Sequence, residues 1–267
     1  MNSAVFDAKK LRKTVLDMAF NGSTVHIPCA FSLVEILAVL YRNHLNLASG
    51  PKDENRDFLI LSKGHGVMAQ YACLFELGWL TDSDVKKYFA DGTRLKGLSD
   101  SHVEGLEVTS GSLGHGLSVG AGIALGCKLK KTNQQVYAIV GDGESNEGSI
   151  WEALLFAAHW KLDNLCVIID ANGFQAMGPT NEVMHLSDLG KKMEAFDFDT
   201  IVLDGHDEAA LHAAFSELKS KKNGRPKAVV ANTVKGKGVS FMEGNNVWHY
   251  TRLNPTTYQE ALKELGF

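Results

Sequence analysis

The stretch "VYAIVGDGESNEG", residues 136–148, decides the fold. An unbroken run of strand-favouring apolar residues, Val136 to Val140, ends in a glycine-aspartate-glycine turn. A strongly apolar helical pattern, "SIWEALLFAAHW" (149–160), follows at once, and a second apolar run, "LCVIID" (165–170), closes the unit. Two wholly apolar strands joined by a helix read as a βαβ crossover, which sets the strands parallel and covers them from both sides. Working outward, "TIVLD" (200–204) and "KAVVANT" (227–233) repeat the strand signal around the helical "EAALHAAFSELKS" (208–220). Further helical spacing appears in "FSLVEILAVLYRNHL" (31–45), "HGLSVGAGIALGCKLKK" (115–131) and "TTYQEALKELGF" (256–267). The predicted fold class is α/β, with a mainly parallel central sheet and helices on both faces. The first 130 residues read as more helical than the rest and are expected to pack as a helical layer against that sheet. No repeat, low-complexity tract or long linker divides the chain, so residues 1–267 are expected to form one domain.

Composition narrows the function classes. The chain has 267 residues, 45% hydrophobic and 22% charged, with a net charge of −4. Its basic residues are scattered in small pairs such as Lys9-Lys10, which argues against a nucleic-acid surface. Cys29, Cys73, Cys127 and Cys166 lie far apart in apolar contexts and form no C-x-x-C pair, against a disulfide framework or a thiolate metal site. The charged start "MNSAVFDAKKLRKTV" has no apolar signal core, and no run is long enough to span a bilayer. A reduced, cytoplasmic protein is expected.

Ligands of open α/β sheets bind beyond the carboxyl ends of the strands, so the loops after the apolar runs matter most. These loops read "GDGESNEG", "DANGFQAMG", "DGHD" and "KGKG". Asp142 and Asn172 follow neighbouring parallel strands, so both side chains reach one point above the sheet. With a nearby main-chain carbonyl they make the hard oxygen set that Mg²⁺ or Ca²⁺ takes, leaving room for phosphate oxygens. Gly143 lets a diphosphate approach the backbone, next to a helix N-terminus. A G-D-G turn alone has a plainer reading, because aspartate and glycine dominate turns for conformational reasons. Glu144 and Glu147, equally, could simply complement the helix dipole. A dinucleotide motif is not matched by "GSLGHG", nor a P-loop by "VKGKG".

The spacing from "GDG" across one helix and one strand to "NG" resembles the signature of thiamine diphosphate (ThDP) enzymes, and the chain as a whole resembles the N-terminal part of a transketolase. "STVHIPCAFSLVEILAVLY", "LSKGHGVMAQYA", "TSGSLGHGLSVGAGIALG" (with His115 where many members have glutamine), "DGHD" and "TVKGKG…WH" are similar to successive family segments. The resemblance implies a ThDP-binding fold in which the side chains of Asp142 and Asn172 and the main-chain oxygen of Phe174 ligate Mg²⁺ or Ca²⁺. It places His65, Gly143 and His249 at the diphosphate with Lys235 close by, and Gly111 and Leu113 along the thiamine. His26, His65 and His249 would surround the reacting carbon, and Glu147 would lie at a subunit interface between two sites. His44, His159 and His212 fall on helical patterns and are expected to be structural or exposed.

The implied activity is transfer of a two-carbon ketol (glycolaldehyde) unit from a ketose to an aldose. The glutamate that activates the aminopyrimidine belongs to a domain not present among these residues. The resemblance therefore implies a separate C-terminal transketolase subunit, in an α2β2 assembly. Full-length relatives carry Gly-His-Pro where this chain reads "GLSDSHVEG", and His102 is the candidate replacement. Two other readings stay open: the α subunit of a 2-oxo acid dehydrogenase E1 component, and a non-catalytic regulatory subunit of the same fold.

Overall fold

The computed structural model describes residues 4–267 except Thr24. Its strands are β1 (Phe58–Leu61), β2 (Val136–Gly141), β3 (Leu165–Ala171), β4 (Asp199–Asp204) and β5 (Lys227–Asn232). They form one all-parallel sheet in the order β1-β2-β3-β5-β4. The helices are α1 (Ala8–Asn21), α2 (Ile27–Phe31), α3 (Val34–Val39), α4 (Val67–Glu76), α5 (Asp82–Lys86), α6 (His115–Lys130), α7 (Gly148–His159), α8 (Thr180–Val183), α9 (Leu189–Ala195), α10 (Glu208–Ser220) and α11 (Pro255–Glu264). A π-helical turn, Leu40–His44, prolongs α3.

The pleat explains the two-sided burial. On β2, Val136, Ala138 and Val140 pack with Leu117 and Ala121 of α6 and with Ile150 and Leu154 of α7. Tyr137 and Ile139 face the other layer, built from α1 to α4, α10 and α11. Side chains alternate along a strand, so a strand covered on both faces must be apolar throughout. Each buried Val, Leu or Ile contributes about 1.5–3 kcal/mol relative to exposure. Helix α7 turns Ile150, Ala153, Leu154 and Ala157 inward, an i, i+3, i+4, i+7 stripe.

The mainly helical first 130 residues also hold one strand that the sequence does not announce: "FLIL" forms β1, the edge strand beside β2. Its four residues are too few to show a period. The adjacent Asp57 fixes it instead: its carboxylate accepts N–H groups of Asn46 at 2.9 Å and Gln135 at 2.7 Å, joining the entry of β1 to that of β2. At the other end Gly116 of α6 lies against Ser62, where any Cβ would come within 2.6 Å of the Ser62 backbone. That contact sets the loop before α6 directly over the end of β1.

Candidate functional site

The strand ends build the site. Strand β1 runs into Ser62-Lys63-Gly64-His65, β2 into Asp142-Gly143, β3 into Asn172-Gly173-Phe174, and β5 into Thr233 and Lys235. His26 caps the start of α2, and His249 follows a short 3-10 turn, Asn246–Trp248. These segments and the 111–113 loop enclose a cavity of about 630 Å³ whose wall includes His26, His65, Gly111, Leu113, Asp142, Gly143, Glu147, Asn172, Phe174 and His249. Lys235 lies just behind that wall. Its ammonium meets His249 Nδ1 at 2.8 Å and Asn246 Oδ1 at 2.9 Å, above the Phe174 ring. The residues assigned to metal, cofactor and proton transfer in the sequence therefore come to one place.

The Asp142 carboxylate ties two loops together, accepting N–H groups of Gly143 at 2.7 Å and Gly173 at 2.6 Å. Burial first, and then the Asp170 charge, still lifts its carboxyl to about 6. A buried carboxylate short of positive charge fits a divalent cation. Asn172 donates its amide N–H to Asp170 at 3.1 Å, and its amide oxygen accepts the Phe174 N–H at 3.1 Å. Among the described residues no group of three His, Cys, Asp or Glu is gathered for a metal. A ligand set of one carboxylate, one amide and one main-chain oxygen needs none.

Two observations suit a bulky polar ligand in the cavity. A side chain at Gly143 would meet Gln175 Cγ at 2.7 Å, so the turn passes with bare backbone. The Gln175 side-chain nitrogen is buried without a hydrogen-bond partner, which costs free energy unless something else accepts from it.

The three imidazoles form a cluster, with ring centroids 5.2 Å apart for His26 and His65, 5.1 Å for His26 and His249, and 6.2 Å for His65 and His249. Burial, reinforced by the ammonium groups of Lys235 and Lys63, lowers His26 and His249 to about 4. The same causes, burial foremost, hold His65 well below its ordinary value. Neutral imidazoles can donate and accept hydrogen bonds at neutral pH.

Sequence reasoning missed the layer beneath. Lys63 and Asp170 form an ion pair with side-chain exposures of 1% and 0%. Asp170 also accepts from Ser32 at 2.7 Å and from Thr233. Burial alone would lower Lys63 and raise Asp170, but their mutual attraction overrides it in both directions. The signal was a single aspartate ending the apolar run "LCVIID": a charge on a wholly buried strand needs a partner. Glu144 does more than complement a helix dipole. It is buried and accepts from Ser62 Oγ at 2.5 Å, Gly114 N at 2.8 Å and Gly141 N at 3.0 Å, joining the ends of β1 and β2 to the loop before α6.

Other residues fall elsewhere. His102 is paired with Asp100 and 89% exposed, away from the cavity wall, which has Leu98 instead. His115 is exposed on the first turn of α6. His44 is buried against His212, its Nε2 3.0 Å from the His212 Nδ1.

Comparison with known proteins matches residues 5–267 to the family described as "Transketolase, thiamine diphosphate binding domain". The chain belongs to the transketolase family. One relative, named as a subunit of apulose-4-phosphate transketolase and coming from Phocaeicola vulgatus, is 36% identical over 260 residues, 97% of this chain and 92% of the relative. Another, 6-deoxy-6-sulfo-D-fructose transketolase subunit SqwG from a Clostridium species, is 35% identical over 97% of this chain and 94% of its own length. Among solved structures, transketolase from Leishmania mexicana superposes with a TM-score of 0.91 at 30% identity. This transketolase-family chain is covered completely and spans 42% of that larger protein.

Proposed function

We propose that this chain is the ThDP-binding subunit of a two-chain transketolase, moving a two-carbon ketol unit from a ketose to an aldose. The observation that carries the reading is the convergence of His26, His65 and His249 on the cavity that also holds Asp142, Asn172 and Phe174. Asp142, the Asn172 amide oxygen and the Phe174 carbonyl would hold Mg²⁺ or Ca²⁺. Gly143, His65, His249 and Lys235 would meet the diphosphate, and Gly111 and Leu113 would lie along the thiamine. Bound ThDP supplies the carbanion chemistry. The chain's own part is to orient substrate hydroxyls and pass protons: His26, His65 and His249 can each donate or accept at a ring nitrogen in their neutral forms.

Two features support a second chain. Relatives of nearly this length are named as subunits. Val119 on α6, and Leu155 and Trp160 along and beyond α7, are 43%, 61% and 45% exposed, and a Cβ at Gly122 or Gly126 of α6 would touch nothing within 4 Å. Glycine inside a helix costs about 1 kcal/mol against alanine, and nothing among the described residues requires it there. Bare helix backbone there suits close approach by another chain, and Glu147 caps the start of α7.

The test is a donor screen with the chain mixed with a transketolase C-terminal-type subunit, including pyruvate among the donors. ThDP-dependent ketol transfer is expected. Pyruvate decarboxylation without ketol transfer would replace this reading with the 2-oxo acid dehydrogenase one, and no ThDP-dependent turnover of any donor would favour a regulatory role.

A further inference from the structure

The "DGHD" loop after β4 contributes no residue to the cavity wall. Its histidine is nevertheless tightly held. His206 Nδ1 stands 2.9 Å from Glu35 Oε2, and Nε2 accepts the N–H of Val234 at 2.8 Å. Glu35 takes Arg12 as a two-pronged partner at 2.5 and 2.7 Å. Arg12 in turn donates to the carbonyls of Lys237 at 2.9 Å and Phe31 at 3.2 Å. His206, Glu35 and Arg12 are each about nine-tenths buried at the side chain. A neutral ring carrying its proton on Nδ1 satisfies both neighbours at once, donating to Glu35 and accepting from Val234.

The cluster thus grips both ends of the turn Val234–Lys237. Between those ends lies Lys235, whose ammonium contacts His249 and Asn246. The middle of the turn is pinned as well: Gly236 donates to the Pro28 carbonyl at 3.1 Å, in the helix that His26 caps, and takes a left-handed φ of 86°. Val234 lies beyond the last residue of β5, so no ladder bond satisfies its N–H. The imidazole does so instead.

We propose that His206, held by Glu35 and Arg12, is a positioning residue that sets where Lys235, and through it His249, stand in the site. The inference rests on the ThDP-binding function proposed above. Lys235 is 1% exposed and closely packed, so where its backbone stands decides what its ammonium can reach. Burial fixes the Arg12–Glu35 pair among α1 and α3, and His206 transmits that fixed point to the turn. It is not part of the cavity wall, and its hydrogen bond to the turn is made to the backbone of Val234.

The test is ThDP affinity, measured by calorimetry with Mg²⁺ on the chain assembled with its partner subunit. His206→Ala, Lys235→Ala and the double variant form a cycle that isolates the coupling. His206→Ala is expected to weaken ThDP binding about tenfold, the upper range for one lost hydrogen bond. In the Lys235→Ala background the same change is expected to cost less than about twofold. His206→Gln keeps an acceptor near the Nε2 position and is expected to recover most of the affinity. His206→Asn keeps only the donor toward Glu35 and is expected not to. Independent, additive losses in the cycle, unchanged affinity in His206→Ala, or better recovery by Asn than by Gln would each overturn the proposal. Absence of ThDP binding by the unmodified assembly is a different outcome: it would remove the functional reading, and this inference with it.

Discussion

Replacing Lys63 with methionine tests the layer that carries the site. The substitution keeps the length and apolar stem of the side chain but deletes an ammonium that is 1% exposed, leaving the wholly buried Asp170 carboxylate unpaired. Removing one member of a buried ion pair costs about 3–5 kcal/mol, because the surviving charge stays buried. Asp170 keeps three neutral donors, Ser32, Thr233 and Asn172, so a loss near the lower end, about 3 kcal/mol, is expected. Combining Lys63→Met with Asp170→Asn removes both charges and should cost clearly less than the sum of the two single losses. Urea unfolding at pH 7, compared through midpoints at constant slope, measures all three variants. A loss below about 1 kcal/mol for Lys63→Met, or simple additivity in the double variant, would refute the view that this pair anchors the strand ends.

Stability should also fall on acidification through the histidine cluster. His26 and His249 titrate at about 4 when folded against an ordinary 6.5, so the unfolded chain takes up protons first. Their contribution is complete above pH 6.5 and is lost as the pH falls toward about 4, and His26→Gln with His249→Gln should flatten that slope in thermal melts. Gly143→Ala would bring a Cβ to 2.7 Å from Gln175 Cγ, so Gln175 must shift. It should lower the melting temperature modestly and weaken ThDP binding at least about tenfold, since the diphosphate needs the bare turn. Gly126→Ala on α6 should stabilise the isolated chain by about 0.5–1 kcal/mol, while Gly126→Leu should impair assembly in sizing experiments. An assembled complex indifferent to leucine there would mean that this face is not an interface.

The legible parts of the molecule were those with a long apolar signal. Strands β2, β3 and β5 stand out because burial on both sheet faces leaves them apolar almost throughout, helices α6, α7 and α10 because burial along one stripe imposes a period, and β4, only half-buried at the sheet edge, by its short run of β-favouring residues. Strand β1 did not, since "FLIL" is too short to have a period and its place is set by Asp57 and Gly116, contacts from elsewhere in the chain. That strand matters because it delivers Lys63 and His65. His26, His65, Gly111, Leu113, Asp142, Gly143, Asn172 and Phe174 of the cavity wall were readable because they sit in short loops after a strand or before a helix. The supporting layer was not, because Lys63 with Asp170, Ser62 with Glu144, and Arg12 with Glu35 and His206 join residues distant in sequence. His102 shows the converse: it has the expected side chain in the expected segment, but its loop turns it toward Asp100 and solvent, and Leu98 reaches the cavity.

A ThDP site of which this chain forms one side, and which a second polypeptide completes, has a direct calorimetric signature. ThDP with Mg²⁺ is titrated into the chain alone, into its mixture with the partner subunit, and into the same mixture carrying Asp142→Ala. Tight binding, accompanied by ketol transfer, is expected only in the unmodified mixture. Equally tight binding and full activity from the chain alone, or from the Asp142→Ala mixture, would rule out such a divided site.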